Sequence, residues 1–451
     1  MSIKKKLLAV AAAGALTAAT AVPAMALENE FHGMFKFFTY QTNFFNGSTF
    51  ATGAAAQAHL KRGANSGLFA EQRARLQYIA KANDDLKLVT HFELDSRFGG
   101  VTGGYKGTTG NDAGNLDADQ LTLETKNVYL DFNCPITGTN VKAGIQPWAD
   151  SYKSLFLLAD MTGVYATKKF DPLTVSLGWF RFNDQDAAGD QDPGKKTADL
   201  IVLDGKYAVT KDLTVGVNYY NVQNDASATS PAFELLHMVG ANAAAKFGPA
   251  AVDVFAGYQF GDFNKTSNRD ISAYIAGTTG KVKAGPGSVN FAAIYLSGEG
   301  NTTTGDRGDF QTISGPTTYF NPANMWLLIR NGQAVNSSTS VLGTDNTVGG
   351  RGLWGIFAGY EGTVNKLFYN ANVGYAETAH ARSAVEKKSL GTEVNAQVGY
   401  KLYDNLTASV AAAYLLLGDG LGGKSGQVIS GFGVIDATNP YMANVQLSYV
   451  F

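Results

Sequence analysis

The sequence predicts an all-β protein, a transmembrane antiparallel up-and-down β-barrel of about 18 strands, with 16 as the alternative count. Three observations carry that prediction. Apolar and polar residues alternate with period two along most of the chain, while helical periodicity is almost absent. The alternating segments reach about ten residues or more, the length a tilted strand needs to cross a bilayer, whereas sandwich strands average about five or six. Short and long connections follow one another in strict succession, the asymmetry of short periplasmic turns and long extracellular loops.

At the start, Lys4, Lys5 and Lys6 precede the apolar stretch LLAVAAAGALTAATAVPA, and Ala24-Met25-Ala26 closes it. This is the pattern of a secretory signal peptide over 1–26, removed after Ala26. Taking 26 residues from 451 leaves 425, one barrel domain over 27–451, and losing three lysines moves the formal charge from −2 to −5. That mild acidity argues against a nucleic-acid partner. No run of about 20 apolar residues follows, so no membrane-spanning helix is expected. The single cysteine, Cys134, forms neither an internal disulfide nor a Cys-rich metal site, and no C-x-x-C-H is present to attach a c-type haem. No cofactor and no resident metal are expected.

The first strand is expected over 33–45, close enough to the cleavage site to leave no room for a plug domain. In LKLVTHFEL (86–94), Leu86, Leu88, Thr90, Phe92 and Leu94 share one face. Lys87, His91 and Glu93 lie on the other, continuing to Asp95 and Arg97. Late in the chain, VNAQVGYKL (394–402) and LTASVAAAYLL (406–416) alternate in the same way around the turn Tyr403-Asp404-Asn405. Short connections with turn chemistry fall at 82–85, 134–138, 170–172, 210–212, 248–249, 285–287, 362–365 and 403–405. Long polar ones fall around 46–67, 98–120, 147–160, 184–197, 222–232, 261–268, 298–350, 380–388 and 418–438. Eight turns and nine loops join eighteen strands; merging one pair around 27–68 gives sixteen.

Closure has a physical cause. Hydrocarbon offers no partner to a backbone N–H or C=O, so an open sheet edge is not tolerated there. The last strand, ending NVQLSYVF, is therefore half of a seam. Phe451, Tyr449, Leu447, Val445 and Tyr441 are expected to face lipid, and Asn444, Gln446 and Ser448 to face inward.

A terminal Phe with an aromatic residue two places earlier resembles the insertion signal of bacterial outer-membrane proteins. The resemblance makes Tyr449 and Phe451 the signal read by the barrel-assembly machinery. NVYLDF (127–132), a turn, then NVKAGIQPW (140–148) is similar to the strand pair before the third loop of the general Gram-negative porins. The order of loops and turns over 27–451 is similar too, most closely to the abundant channel-forming porins of metal-reducing bacteria. One departure stands out: the family's Gly-Arg-Gln reads Gly144-Ile145-Gln146 here. The resemblance implies an outer-membrane location, contact with lipid and lipopolysaccharide, and a homotrimer. It also implies a water-filled channel for passive diffusion of small hydrophilic solutes and ions.

Width supports that expectation, because a barrel of 16 to 18 strands leaves an aqueous lumen. The faces read as inward are polar: Glu71, Arg73, Arg75 and Gln77; Lys87, His91, Glu93 and Arg97; Lys142 and Gln146; Glu393, Gln397 and Lys401. An Arg or Lys on the lipid side would cost about 2–4 kcal/mol. By the resemblance, PWADSYKSLFLLADM (147–161) folds into the lumen as a constriction. Leu155, Phe156, Leu157 and Leu158 support this, being poor residues for a solvated tip. Asp150 and Asp160 are then expected to oppose Arg73, Arg75 and Arg97 across the opening, with Lys87, His91 and Lys142 also lining it.

Two Asp-rich stretches, NDAGNLDAD (111–119) and NDQDAAGDQD (183–192), lack the spacing of an EF-hand loop and read first as solvated acids, with calcium on their clustered carboxylates as the alternative. In NPANMWLLIRNG (321–332), Trp326 to Ile329 form an apolar run that should fold back over the barrel mouth or dock on a neighbour. The five histidines sit in no local catalytic signature, so the chain is not expected to be an enzyme. The alternative to a channel is a scaffold barrel that sheathes an envelope partner, such as a cytochrome electron conduit.

Overall fold

The computed structural model describes residues 27–44, 60, 66–99, 123–184, 194–226, 233–264, 269–300, 305–313, 320–321, 323–330, 339–343, 345–431 and 433–451. The strands are β1 (Glu28–Thr42), β2 (Gly67–Asn83), β3 (Leu86–Arg97), β4 (Glu124–Asn133), β5 (Asn140–Ala149) and β6 (Leu158–Lys169). Next come β7 (Leu173–Asn183), β8 (Ala198–Thr210), β9 (Leu213–Asn224), β10 (Leu235–Phe247), β11 (Ala250–Asn264) and β12 (Arg269–Ala284). The last six are β13 (Gly287–Leu296), β14 (Leu353–Val364), β15 (Leu367–Thr378), β16 (Ser389–Tyr403), β17 (Leu406–Leu417) and β18 (Tyr441–Val450). A single helical turn, α1 (Asp419–Gly422), lies between β17 and β18.

All eighteen strands form one sheet, each antiparallel to its sequence neighbours, and β1 pairs with β18 to close it. The count is eighteen rather than sixteen, and the eight short turns fall where the sequence puts them. Boundaries shift by a few residues, most at the first strand, which ends at Thr42 rather than 45. The first strand begins at Glu28 and not at 33, because Glu28 to His32 pair with Lys81 to Gln77 of β2 below the seam. At the seam Met34 to Thr42 pair with Val450 to Met442. Phe451 N–H donates to the Gly33 carbonyl at 3.0 Å and Gly33 N–H to the Phe451 carbonyl at 2.9 Å. A Cβ on Gly33 would stand 2.3 Å from the Phe451 ring, so glycine there makes room for the terminal aromatic.

The outer wall is sorted by height. Trp179, Tyr258, Tyr274, Trp354 and Tyr414 are exposed near the loop ends of their strands. Phe31, Tyr207, Phe247, Tyr400 and Phe451 are exposed near the turn ends. Between the two belts lie Val217, Val254, Ile356, Val394, Val410 and Val445. An apolar band between aromatic girdles is the surface of a barrel seated in a bilayer. In β18, Val445, Leu447, Tyr449 and Phe451 are exposed while Asn444 and Gln446 are buried inside. No helix among the described residues is long and apolar enough to cross a membrane; the crossings are strands.

The inside is divided. On the loop side one contiguous apolar cluster runs from Phe38 and Tyr40 of β1 through Phe180, Val202, Tyr220, Met238, Ile275, Ile294, Phe357 and Leu415 to Met442 of β18. Among the described residues β3 and β4 contribute nothing to it. Their inner faces, with the lower part of β2, carry charges instead.

Candidate functional site

On that charged wall, register sets the pairs. Arg73 stands opposite Asp95 and Arg75 opposite Glu93. The Arg73 guanidinium donates to both Asp95 carboxylate oxygens at 2.7 Å and also reaches Glu93 at 3.3 Å. Arg75 donates to the second oxygen of Glu93. Planar forks on carboxylates hold both partners in fixed geometry. Arg97 is in register with the buried Glu71. Lys87 is 3.4 Å from Asp131, His91 Nδ1 is 3.3 Å from the Asn127 amide oxygen, and the Lys142 ammonium lies 5.8 Å from the Tyr129 ring centre. These six basic residues thus share one side of the interior, from β2 to β5.

Gln146 also points inward, but its amide is spent on the Lys142 and Gly163 carbonyls at 3.1 and 3.0 Å. Gly144 beside it has φ 130, and a Cβ there would sit 2.3 Å from the Val128 carbonyl, so only glycine lets β4 approach so closely.

The connection between β5 and β6 (150–157) runs into the barrel. Leu155, Phe156 and Leu157 are buried, with Phe156 stacked on Tyr220 of β9. Tyr152 donates its hydroxyl to Asn218 of β9, and it lies where a Cβ on Gly240 or Gly257 would be, 2.1 and 3.0 Å away. Two wall glycines therefore make its seat. Lys153 reaches Asp253 of β11 at 2.7 Å. The loop thus reaches through the interior from β5 and β6 to β9, β10 and β11.

Both acids expected to face the arginines are used otherwise. The Asp150 carboxylate turns back into its own loop and accepts the N–H groups of Tyr152, Ser154, Phe156 and Leu157 at 2.6, 3.0, 2.7 and 2.6 Å. A short carboxylate answers four backbone donors that an in-folded loop would otherwise leave unpaired. Burial pushes Asp150 up to about 6, and those four N–H groups pull the other way without cancelling it. Asp160, on β6, accepts from Lys126 and from the Asn127 amide, each at 2.8 Å, not from an arginine.

A second in-folded element is the apolar run that the sequence expects either to fold back over the barrel mouth or to dock on a neighbour. In the long connection between β13 and β14, Met325 to Ile329 are fully buried inside the barrel. The N–H groups of Trp326, Leu327 and Leu328 donate to the Glu393 carboxylate of β16 at 2.7, 3.0 and 2.7 Å. Asn321 staples the segment, donating to the Met325 and Arg330 carbonyls. The apolar run thus packs within this barrel and not on a neighbour, and Glu393 anchors a loop where a water-facing residue was expected. Earlier in the same connection Phe310 meets Phe156 edge-on at 6.4 Å, so the two in-folded loops touch. Above them Arg351 and Glu386, 2.9 Å apart and buried, tie this connection to the next loop. The stretch 111–119 and most of 183–192 lie outside the described residues.

The Tyr152 seat gives a direct test. Gly257→Val is expected to push Tyr152 out while leaving the barrel closed, because the nearest atoms to a Cβ there belong to the side chains of Met238 and Tyr152 and not to the backbone. Changed single-channel current with unchanged heat-modifiable electrophoretic mobility is the predicted result.

A closed eighteen-stranded sheet with a lipid-facing exterior, a charged inner wall and two in-folded loops defines a transmembrane β-barrel of outer-membrane type. Solved structures share the architecture. Acinetobacter baumannii OccAB4 is 14% identical with a TM-score of 0.53 over 94% of this chain and 98% of that one. Pseudomonas aeruginosa OccK8 (OprE) is 13% identical with a TM-score of 0.53 over the same shares. The outer membrane protein opdK from Pseudomonas aeruginosa is 10% identical, also at 0.53 and the same shares. At these identities the likeness establishes the fold. No protein-family model matches the chain, and no curated protein matches it.

Proposed function

We propose that this protein is an outer-membrane porin, a channel for passive diffusion of small hydrophilic solutes and ions. The observation that carries the reading is the inner wall of β2 to β5, where Arg73, Arg75, Lys87, His91, Arg97 and Lys142 stand among Glu93, Asp95 and Asp131 beside an otherwise apolar, loop-filled interior. Charges inside a lipid-clad barrel need water, and a water path along that wall supplies it. The passage in this reading is eccentric, bounded by the charged wall on one side and by the loop 150–157 as constriction on the other. Paired opposite charges along such a path order water and favour polar solutes over apolar ones. Export by the 1–26 signal, assembly through Tyr449 and Phe451 by the barrel-assembly machinery, a homotrimer, contact with lipopolysaccharide, and the closer kinship to porins of metal-reducing bacteria belong to the same reading.

Purified protein in planar bilayers is expected to give stepwise ion conductance. Replacing Arg73 and Arg75 together by Gln is expected to move the cation-to-anion permeability ratio toward cations. Apolar packing of the loop-side lumen also suits a sheath around an envelope partner. Electrical silence together with a co-purifying haem protein would replace the channel by that sheath.

A further inference from the structure

We propose that the turn-side mouth of the lumen holds a binding site for small phosphate-bearing solutes, centred on Lys246 of β10 and Lys283 of β12. The site goes beyond the channel reading and needs only that water fills this end of the barrel. It lies on the wall from β10 to β15, across the ring from the charged wall of β2 to β5. A cavity of about 630 Å³ opens there, beside the turns at Gly248-Pro249, Pro286-Gly287 and Gly362-Thr363.

Strand parity builds it. Met238, Phe255, Ile275, Ile294 and Phe357 belong to the interior cluster, so every second residue toward the turns also faces the lumen. That rule brings Lys246, Ala251, Lys281, Lys283, Ser288 and Glu361 onto the inner wall, and all six line the cavity. Register then spaces the charges. Lys246 and Lys281 both stand opposite Ala251, one on each side, and the small methyl group between them leaves the opening. Lys283 lies two residues nearer the turn, in register with Ser288, which is itself in register with Glu361. Lys246 and Lys283 are thus two strands and two residues apart, roughly 12 Å at the backbone. Two lysine side chains close that gap on one small anion.

The nearby acids are already engaged. Lys281 pairs with Glu361, and Lys153 of the in-folded loop reaches Asp253 at 2.7 Å. Lys246 and Lys283 are exposed, and among the described residues neither side chain forms an ion pair. Three lysines against one glutamate leave the cavity two positive charges in excess. The adjoining turn adds Lys211 and Asp212, which leave that balance unchanged; the Asp212 carbonyl accepts the Lys246 N–H at 2.8 Å.

The chemistry of the pair sets what it takes. An ammonium is a compact point charge with three donors and no planar fork, so it responds to charge density more than to shape. A phosphoryl group brings close to two negative charges and three strong acceptor oxygens. A carboxylate brings one charge to set against two lysines. A second cavity of about 350 Å³ shares Ala251 and Lys281 with the first and reaches Asn290, which leaves room for an organic portion above the phosphate. Exposure keeps the hold weak and sensitive to salt, as passage through a lumen requires.

The test uses the full mature chain folded in detergent, with heat-modifiable mobility to verify folding and inorganic phosphate as the probe. Phosphorus NMR at low salt and pH 8 should show saturable broadening that acetate does not relieve. Glycerol phosphate separates the two sources: relief of the broadening places esters in the site, and no relief leaves it to the free ion. Lys246→Gln combined with Lys283→Gln should weaken binding about tenfold. Glu361→Gln, which releases Lys281, should tighten it, and Lys211→Gln, outside the cavity, should change nothing. In planar bilayers phosphate should reduce the chloride current more from the turn side than from the loop side, because the in-folded loops stand between. No broadening with wild type, a folded double variant that binds as well, or displacement by acetate at equal concentration overturns the site and leaves the channel. Binding without any current keeps the site and removes the channel reading.

Discussion

Replacing Glu393 by alanine is expected to raise single-channel conductance by roughly twofold or more, since ion flow follows the open cross-section of the lumen. The carboxylate holds three consecutive N–H groups of a fully buried apolar segment, and the Asn395 amide supports it at 2.9 Å. Without it three donors stay buried and unpaired, each costing about 1–3 kcal/mol, and Trp326 to Leu328 lose their reason to remain inside. Glu393→Gln keeps an acceptor oxygen and should give an intermediate conductance. Planar-bilayer recording reads the rise, and preserved heat-modifiable mobility shows that the wall is intact. Unchanged conductance in a folded Glu393→Ala would mean that the segment does not narrow the path.

Removing residues 441–451 is expected to abolish the folded barrel. β18 pairs over nine residues with β1 and nine with β17. Its loss bares both edges in hydrocarbon, where each unpaired backbone group costs several kcal/mol. The shortened chain should lose heat-modifiable mobility and aggregate. Phe451→Ala removes only the ring beside Gly33 and should slow insertion while leaving the folded product stable. A truncated chain that still inserts as a closed barrel would contradict the seam.

The walls were legible because one physical rule governs every crossing. Lipid selects Val445, Leu447 and Tyr449, water or neighbours select Asn444 and Gln446, and the alternation follows from strand geometry alone. Turns were legible through local chemistry such as Tyr403-Asp404-Asn405. The loops obey no such rule. The runs around Phe156 and Trp326 announce that they are buried without saying against what. Their anchors are of two kinds. Asp150 serves donors within seven residues, whereas Glu393 serves donors 65 to 67 residues away. Inward parity made Glu393 look like a pore-lining acid, and the resemblance of the third loop made Asp150 look like one, because parity and loop order report which face a side chain takes and not what comes to meet it. Asp160 misled for a related reason: its partners Lys126 and Asn127 lie across two strands, invisible to spacing.

Spin labels placed singly at Asn444, Val445, Gln446 and Leu447, in protein reconstituted in bilayers, test the central claim. Labels at Val445 and Leu447 should be reached by oxygen from the lipid and shielded from a water-soluble nickel chelate. Labels at Asn444 and Gln446 should escape the lipid-dissolved probe. Accessibility that rises and falls every second residue is the predicted result. A profile without that alternation, or all four sites open to the aqueous probe, would contradict a sheet wrapped into a membrane-spanning barrel.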